Sequence, residues 1–234
     1  MRPLHFSPPL LLLLAALTLQ GCAALQPASQ FYQLEQGSPK LPQNDKGPAL
    51  LLGPVKLADY LQRENLVQRE LDDSLSLSQK TRWAGSLQDD VGQLLLRQLA
   101  GQLDTSRVAL YPDRVGFATQ VQVVLSISRL DSGVQQPAVL EAQWRLLDSA
   151  GVQRSSRVVR LQAEHSGAVI DQVRAQSQLL QQLAGELASA IKAMPVAQAA
   201  PARKPAATAP AKRPQSKPPT PLIEPAKQME VFRF

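Results

Sequence analysis

Cysteine and histidine are almost absent from the 234-residue sequence, which has one cysteine, Cys22, and two histidines, His5 and His165. A single thiol cannot form an intramolecular disulfide, so the fold has to be stabilised by its hydrophobic core. Imidazole and thiolate ligands are too few to build a zinc-type centre, and we therefore expect no metal and no other cofactor.

The sequence also lacks the common catalytic motifs. It contains no G-x-S-x-G, Walker-type or G-x-G-x-x-G pattern, so nucleotide binding and acyl transfer have no support. Two acidic pairs occur, Asp72-Asp73 and Asp89-Asp90, but neighbours on a strand point to opposite faces, and the second pair fits the first turn of a helix. His165 lies in a predicted turn without a nucleophile motif, and we interpret it as a turn residue rather than a general base. We predict no catalytic residues and a protein that is not an enzyme.

No apolar run is long enough to cross a bilayer. Residues 10–19 form an apolar stretch of about half the ~20 residues that a spanning helix needs, which is typical of a signal peptide over residues 1–21. The peptide ends in a motif that resembles the lipobox of lipoprotein signal peptidase, formed by Leu19, Gln20 and Gly21. This predicts that Cys22 becomes the acylated first residue of the mature chain, with a tether over residues 22–30. The alternative is an uncleaved anchor with an incidental thiol.

The residue after the cysteine predicts which of the two membranes holds the protein. Ala23 stands where an aspartate would keep many enterobacterial lipoproteins in the inner membrane. By resemblance to that sorting rule, we expect the lipid-anchored protein at the periplasmic leaflet of the outer membrane.

The positive charge is concentrated at the C-terminus. The chain has a formal net charge of +6, but residues 195–234 hold seven Lys or Arg against two Glu, while residues 23–194 hold 17 basic and 17 acidic residues. The folded part is therefore neutral, and we expect no nucleic-acid partner. Nine of the 19 prolines also fall in this C-terminal stretch, which predicts a disordered, basic Pro/Ala/Lys-rich tail over residues 195–234.

Hydrophobic periodicity divides residues 31–194 into the strands and helices of one domain. Short apolar or alternating runs predict strands at residues 31–34, 50–57, 66–70, 74–77, 120–130, 139–147 and 152–163. Apolar residues at helical spacing predict one helix from Ser86 to the region of Asp104 and a second from about Ala168 to Pro195. Turn residues after the longer strands favour an antiparallel meander. The predicted fold class is α+β, with an antiparallel sheet and two amphipathic helices packed on one face.

One block of residues is more specific than any periodicity. It comprises VKLADYLQR at 55–63, LVQR at 66–69 and RWA at 82–84, and FYQL at 31–34 precedes it. These segments resemble the family of ABC-type transport auxiliary lipoproteins, which includes PqiC-like (YmbA-like) subunits, over roughly residues 22–194. Many relatives have Ala-Glu-Pro-Leu after the tryptophan, where this chain has Ala-Gly-Ser-Leu at 84–87. Any role of that glutamate therefore does not carry over.

The resemblance implies an accessory subunit of an intermembrane lipid transport system, in which an MCE-domain membrane protein and its associated permease components bridge the two membranes. The lipoprotein would be the outer-membrane end, held by the acyl chains on Cys22, and would help to maintain envelope integrity. A homo-oligomeric ring would suit the mouth of such a bridge. Three residues of the family block are candidates for a docking surface: Tyr60, Arg69 and Trp83. The alternative for them is core and strand-edge packing, with Arg69 paired to a carboxylate.

Two other functions compete with this hypothesis. The first is an envelope-assembly or structural lipoprotein that partners an outer-membrane protein without transporting lipid. The second is a substrate-binding lipoprotein or periplasmic hydrolase, which would need a deep pocket or a nucleophile with its base.

Overall fold

Eight β-strands and two α-helices form in the computed structural model, which describes residues 28–43, 47–113 and 116–194. The predicted signal peptide, Cys22 and the predicted tail lie outside the described residues. The strands are β1 (Gln30–Tyr32), β2 (Leu50–Leu57), β3 (Asn65–Arg69), β4 (Leu75–Trp83), β5 (Val108–Leu110), β6 (Val121–Asp131), β7 (Ala138–Asp148) and β8 (Gln153–Ala163). The helices are α1 (Leu87–Leu103) and α2 (Val169–Ala193), and a short 3₁₀ helix covers Asp59–Leu61.

The strands form two mixed sheets. The larger has the order β5-β2-β6-β7-β8 and the smaller has the order β1-β4-β3. The predicted meander is present, since β6, β7 and β8 pair antiparallel. However, β2 runs parallel to both β5 and β6, and β1 runs parallel to β4. The α+β class is therefore confirmed, while the prediction of a purely antiparallel sheet is wrong.

The parallel pairs have a simple cause in the connections. The 3₁₀ helix, the β3–β4 hairpin and α1 all lie between β2 and β5, which is enough chain to return to the starting end of β2 before the next strand begins. Turn residues and alternation indicate how strands pair across short turns. They contain no information about strands that meet after a long crossover, and the sequence prediction failed for that reason.

Both helices pack on one face of the larger sheet. The Ser86 side chain caps α1 by accepting a hydrogen bond from the Asp89 N–H at 3.2 Å, and Asp104 ends the helix with a left-handed backbone. The two helices contact each other and the larger sheet. In β7, Trp144 is buried, whereas its neighbours Gln143 and Arg145 are exposed, so the opposite face of the sheet is left to solvent. Among the described residues, none of the helices has the length and apolarity to cross a bilayer.

The two sheets meet where β3 approaches the end of β6. The Arg69 N–H donates to the Ser132 carbonyl at 2.9 Å, and Gln68 forms an isolated parallel bridge with Ser132. This approach requires a glycine, because a Cβ on Gly133 would lie 1.9 Å from the Arg69 carbonyl oxygen. The contact atom belongs to the backbone, so a larger residue cannot be accommodated by a side-chain rotation.

We expect Gly133→Ala to destabilise the domain by about 2 kcal/mol, because overpacking against the Arg69 backbone forces the two sheets apart. Gly85→Ala is the matched control, since a Cβ at Gly85 meets nothing within 4 Å. Thermal or urea unfolding of both variants measures the difference. Equal stability of the two variants would show that the junction tolerates a side chain.

Candidate functional site

Tyr60 and Arg69, which the sequence analysis singled out separately, converge on one buried carboxylate. Asp131 Oδ2 accepts hydrogen bonds from the Tyr60 hydroxyl at 2.7 Å and from Arg69 Nη2 at 2.8 Å. Asp131 Oδ1 accepts from Arg69 Nε and from Arg129 Nε, both at 3.0 Å. We call these four residues the Asp131 cluster. Each carboxylate oxygen has two donors, so the buried charge is fully satisfied.

The position of each residue follows from the fold. Tyr60 lies in the 3₁₀ helix after β2, Arg69 is the last residue of β3, and Arg129 and Asp131 are at the end of β6. The junction of the two sheets brings these chain segments together. Arg69 also donates to the Asp73 carbonyl at 2.9 Å, which ties the β3–β4 turn to the same centre.

Hydrogen bonding decides the protonation states in the cluster. Burial by itself would raise the pKa of Asp131, but the hydrogen bonds from Arg69 and Tyr60 and the charge of Arg129 outweigh it and hold that pKa below its ordinary value. Burial and the hydrogen bond to Asp131 raise the pKa of the Tyr60 hydroxyl. Asp131 is therefore ionised and Tyr60 protonated at neutral pH, as a structural ion pair requires.

Buried polar groups continue from the cluster towards α2. The Ser132 hydroxyl donates to Gln172 Oε1 at 3.0 Å and accepts from Gln176 Nε2 at 2.9 Å. Gln172 Nε2 in turn donates to the Gly167 carbonyl at 2.7 Å. These side chains fix the start of α2 against the end of β6, and the arrangement has the character of a structural network rather than a reaction centre.

Trp83 is not part of the Asp131 cluster. Its side chain is 6% exposed and belongs to the hydrophobic core. Together with Leu61, Val67 and Leu130 it surrounds a cavity of about 10 Å³. The role of Tyr60, Arg69 and Trp83 in docking therefore stays a prediction, and in this structure all three contribute to packing or to the buried ion pair.

Trp83 also borders an open groove of about 600 Å³ at the end of the smaller sheet. We call it the terminal groove, and its lining includes Phe31, Glu64, Arg82, Trp83 and residues 84–88. Phe31 is 65% exposed on its rim. The surrounding backbone is fixed by a hydrogen bond from the Trp83 N–H to the Glu64 carbonyl at 2.7 Å and one from the Ala84 N–H to the Tyr32 carbonyl at 2.7 Å.

The groove combines apolar and charged surface. Arg82 Nη1 and Glu64 Oε2 form an ion pair at 3.4 Å at its edge, and Leu87 lies at its inner end. A partially exposed aromatic side chain beside a paired charge is a common arrangement in protein interfaces. The sequence pattern predicts a strand at Phe31 but does not indicate that its side chain is exposed.

The remaining candidates for chemistry lie in two turns and in the first turn of α1. His165 Nδ1 accepts a hydrogen bond from the Gly167 N–H at 3.0 Å in the turn before α2. Asp72 and Asp73 lie in the β3–β4 turn, and Asp89 and Asp90 lie in the first turn of α1. Within residues 28–43, 47–113 and 116–194, no group of three or more His, Cys, Asp or Glu side chains is arranged to hold a metal ion.

The central residue of the cluster, Asp131, was missed by sequence reasoning, which treated it as part of a turn. Val121, Val123, Leu125 and Ile127 are buried at every second position of β6, but a bulge after Ile127 shifts the register, so Leu130 and not Asp131 continues that face. Periodicity therefore gives no signal for Asp131, whose buried carboxylate needs a cationic partner. The partner on β3 is distant in sequence, so only the fold identifies it.

One comparison with known proteins shows the family, and comparisons with solved structures show the fold. A model of the family described as ABC-type transport auxiliary lipoprotein component matches residues 32–188. No curated protein matches the sequence. A crystal structure of an uncharacterized protein superposes with a TM-score of 0.59 at 18% identity, covering 70% of this chain and 99% of that chain.

A crystal structure of a DUF330-family protein from Xanthomonas campestris superposes with a TM-score of 0.56 at 18% identity, over 70% of this chain and 94% of that chain. A PelC dodecamer from Paraburkholderia phytofirmans gives a TM-score of 0.38 at 14% identity, over 66% of this chain and 94% of that chain. A TM-score this low gives no information on how this protein assembles.

The class of the protein follows from its fold, an α+β domain like that of the DUF330-family protein from Xanthomonas campestris. The family match extends from β1 into α2 and so spans nearly all of the described domain. The chain belongs to the family of ABC-type transport auxiliary lipoprotein components, as the resemblance in the sequence predicted.

We expect Asp131→Asn to destabilise the domain by about 3 kcal/mol, because it leaves two largely buried guanidinium groups without their counter-charge. A loss of that size lowers Tm by roughly 6–12 °C for a domain of this length. Asp73→Asn is the control, since the Asp73 carboxylate is exposed and lies 3.9 Å from Arg69 Nη1. We expect it to have little effect.

The same cluster should govern acid stability. Because the pKa of Asp131 is lower in the folded state than in the unfolded state, the unfolded chain takes up the proton first as pH falls. The stabilisation is complete above the unfolded aspartate pKa of about 3.9 and is lost progressively below it. Melting curves between neutral pH and pH ~3 should show a steeper acid loss for the unmodified protein than for Asp131→Asn. Parallel curves would contradict this role of Asp131.

Proposed function

We propose that this protein is an outer-membrane-anchored periplasmic lipoprotein that acts as the accessory subunit of an MCE/ABC-type intermembrane lipid transport system. The family match over residues 32–188 is the observation that carries the proposal. A transport auxiliary component implies partners in a transport system, and an MCE-domain protein with its permease components is the partner that we propose. The protein would act by binding rather than by catalysis.

The anchor in this proposal is Cys22. Signal peptidase would recognise Leu19, Gln20 and Gly21 and cleave between Gly21 and Cys22. Acyl chains add about 0.8 kcal/mol of membrane affinity per buried methylene, so two or more chains hold a domain firmly. The charge-neutral domain would then lie in the periplasm beside the membrane.

The terminal groove is the surface that we propose for the transport partner. Phe31 offers an exposed aromatic side chain, and the Arg82–Glu64 ion pair lies beside it. Aromatic residues of this kind contribute a large share of binding energy when a partner covers them. Trp83 would act as the packed floor of the groove instead of as a direct contact.

Lipidation can be tested at its single attachment point. Cys22→Ser should abolish labelling by palmitate, because the chain contains no second cysteine that could form the thioether. Ala24→Ser is the matched control and should be labelled like the unmodified protein. Label that persists in Cys22→Ser would overturn the lipoprotein assignment.

The partner can be tested by photo-crosslinking in intact cell envelopes. A photoreactive phenylalanine at Phe31 should capture an MCE-domain protein or a permease component. The same group at Val158, which is 74% exposed on β8, should not, because that strand lies in the other sheet. Capture of an outer-membrane protein at Phe31 would instead favour an envelope-assembly role, and equal capture at both positions would contradict a specific groove.

A further inference from the structure

The described domain has a group of exposed apolar side chains at the β3–β4 turn. Leu71 in the turn is 68% exposed, and Val134 in the β6–β7 loop is 63% exposed. Leu75 and Leu77 at the start of β4 are exposed as well. We call these four side chains the hairpin patch. Single exposed apolar residues are ordinary, but a cluster from two loops and a strand indicates a contact surface.

The patch is held in a defined conformation. Leu71 and Val134 border the same depression of about 390 Å³. The β3–β4 turn, which contains Leu71, is closed by two hydrogen bonds. One runs from the Glu70 N–H to the Ser74 carbonyl at 2.9 Å and the other from Arg69 Nη1 to the Asp73 carbonyl at 2.9 Å. Leu71 is therefore presented by a rigid turn that the Asp131 cluster supports.

The direction of β1 relates this patch to the N-terminus. β1 runs parallel to β4, with Gln30 opposite Thr81 and Tyr32 opposite Trp83. The N-terminal end of β1 therefore points along β4 from Thr81 towards Leu75 and the turn. The six residue steps from Thr81 to Leu75 span about 20 Å. The eight residues 22–29 can span at most ~28 Å, which is long enough to cover that distance.

The charges beside the patch indicate what kind of surface it fits. Arg69 lines the depression, and its guanidinium is already bound to Asp131. Glu70, Asp72 and Asp73 surround Leu71 with carboxylates. An anionic surface would be repelled, whereas a zwitterionic lipid surface accepts apolar side chains without a compensating cation.

We propose that the hairpin patch rests in the zwitterionic phospholipid surface of the membrane that holds the acyl chains of Cys22. This rests on the lipid anchor of the proposed function and deepens it, because it fixes the orientation of the domain. Insertion is limited to the headgroup boundary, about 5–10 Å deep, since the neighbouring carboxylates stay hydrated. β4 then leads away from the membrane for roughly 25 Å and places the terminal groove on the periplasmic side.

The proposal can be tested on the full-length lipidated protein in vesicles of phosphatidylcholine and phosphatidylethanolamine. Cys22 is the only cysteine and is consumed by the thioether, so Leu71→Cys introduces a single reactive thiol for the environment-sensitive dye NBD. Val134→Cys is a second patch position. Val158→Cys is the matched control, because Val158 is at least as exposed as the two patch residues but lies on β8 of the larger sheet.

We expect blue-shifted NBD emission at positions 71 and 134, and quenching by nitroxide-labelled lipid that is several-fold stronger than at position 158. Substituting part of the lipid by phosphatidylglycerol should weaken both signals. Equal quenching at all three positions would overturn the patch as a specific lipid contact. No quenching at position 71 would also overturn it, and is the result expected if the patch binds a protein instead of lipid.

Vesicle flotation separates this inference from the proposed function. A protein that floats with the vesicles but shows no quenching at position 71 keeps its anchor and loses the proposed orientation. A protein that does not float has no working anchor, and this outcome contradicts the proposed function itself.

Discussion

The buried carboxylate of Asp131 is the interaction on which the joining of the two sheets depends. It lies at the end of β6 in the larger sheet, while Tyr60 and Arg69 come from the chain that leads into and through the smaller sheet. A buried charge is costly unless every lone pair is satisfied. Here Tyr60, Arg69 and Arg129 supply donors to both oxygens, so the cluster is stable only when the two sheets are in register. Gly133 permits the close backbone approach that this register requires.

That junction determines where the functional surfaces lie. Because Arg69 is fixed at the end of β3, the β3–β4 turn is held at one end of the smaller sheet, and Trp83 carries the other end of β4 into the hydrophobic core. The hairpin patch and the terminal groove are thus at opposite ends of one strand. In the two proposals made above, the first end faces the anchoring membrane and the second faces the transport partner.

This arrangement suits an auxiliary component of a transporter, the family to which the chain belongs. Two residues with perturbed pKa values, the half-buried Tyr60 and the buried Asp131, are hydrogen-bonded to each other. Perturbed groups of that kind stabilise a fold as readily as they mark a reaction centre. The surfaces that are open instead carry apolar side chains, Phe31 at one end and Leu71 at the other.

Local patterns in the sequence determined the helices, the cap of α1, the meander and the fold class, because each depends on residues close together in the chain. Ser86 and the spacing of Leu87, Val91 and Leu94 specify α1 without reference to any other element. The family block likewise identified Tyr60 and Arg69. Only the tertiary structure decided that β2 lies between two parallel neighbours and that these residues share Asp131. Both facts depend on contacts between segments that are distant in sequence, and periodicity contains no record of such pairings.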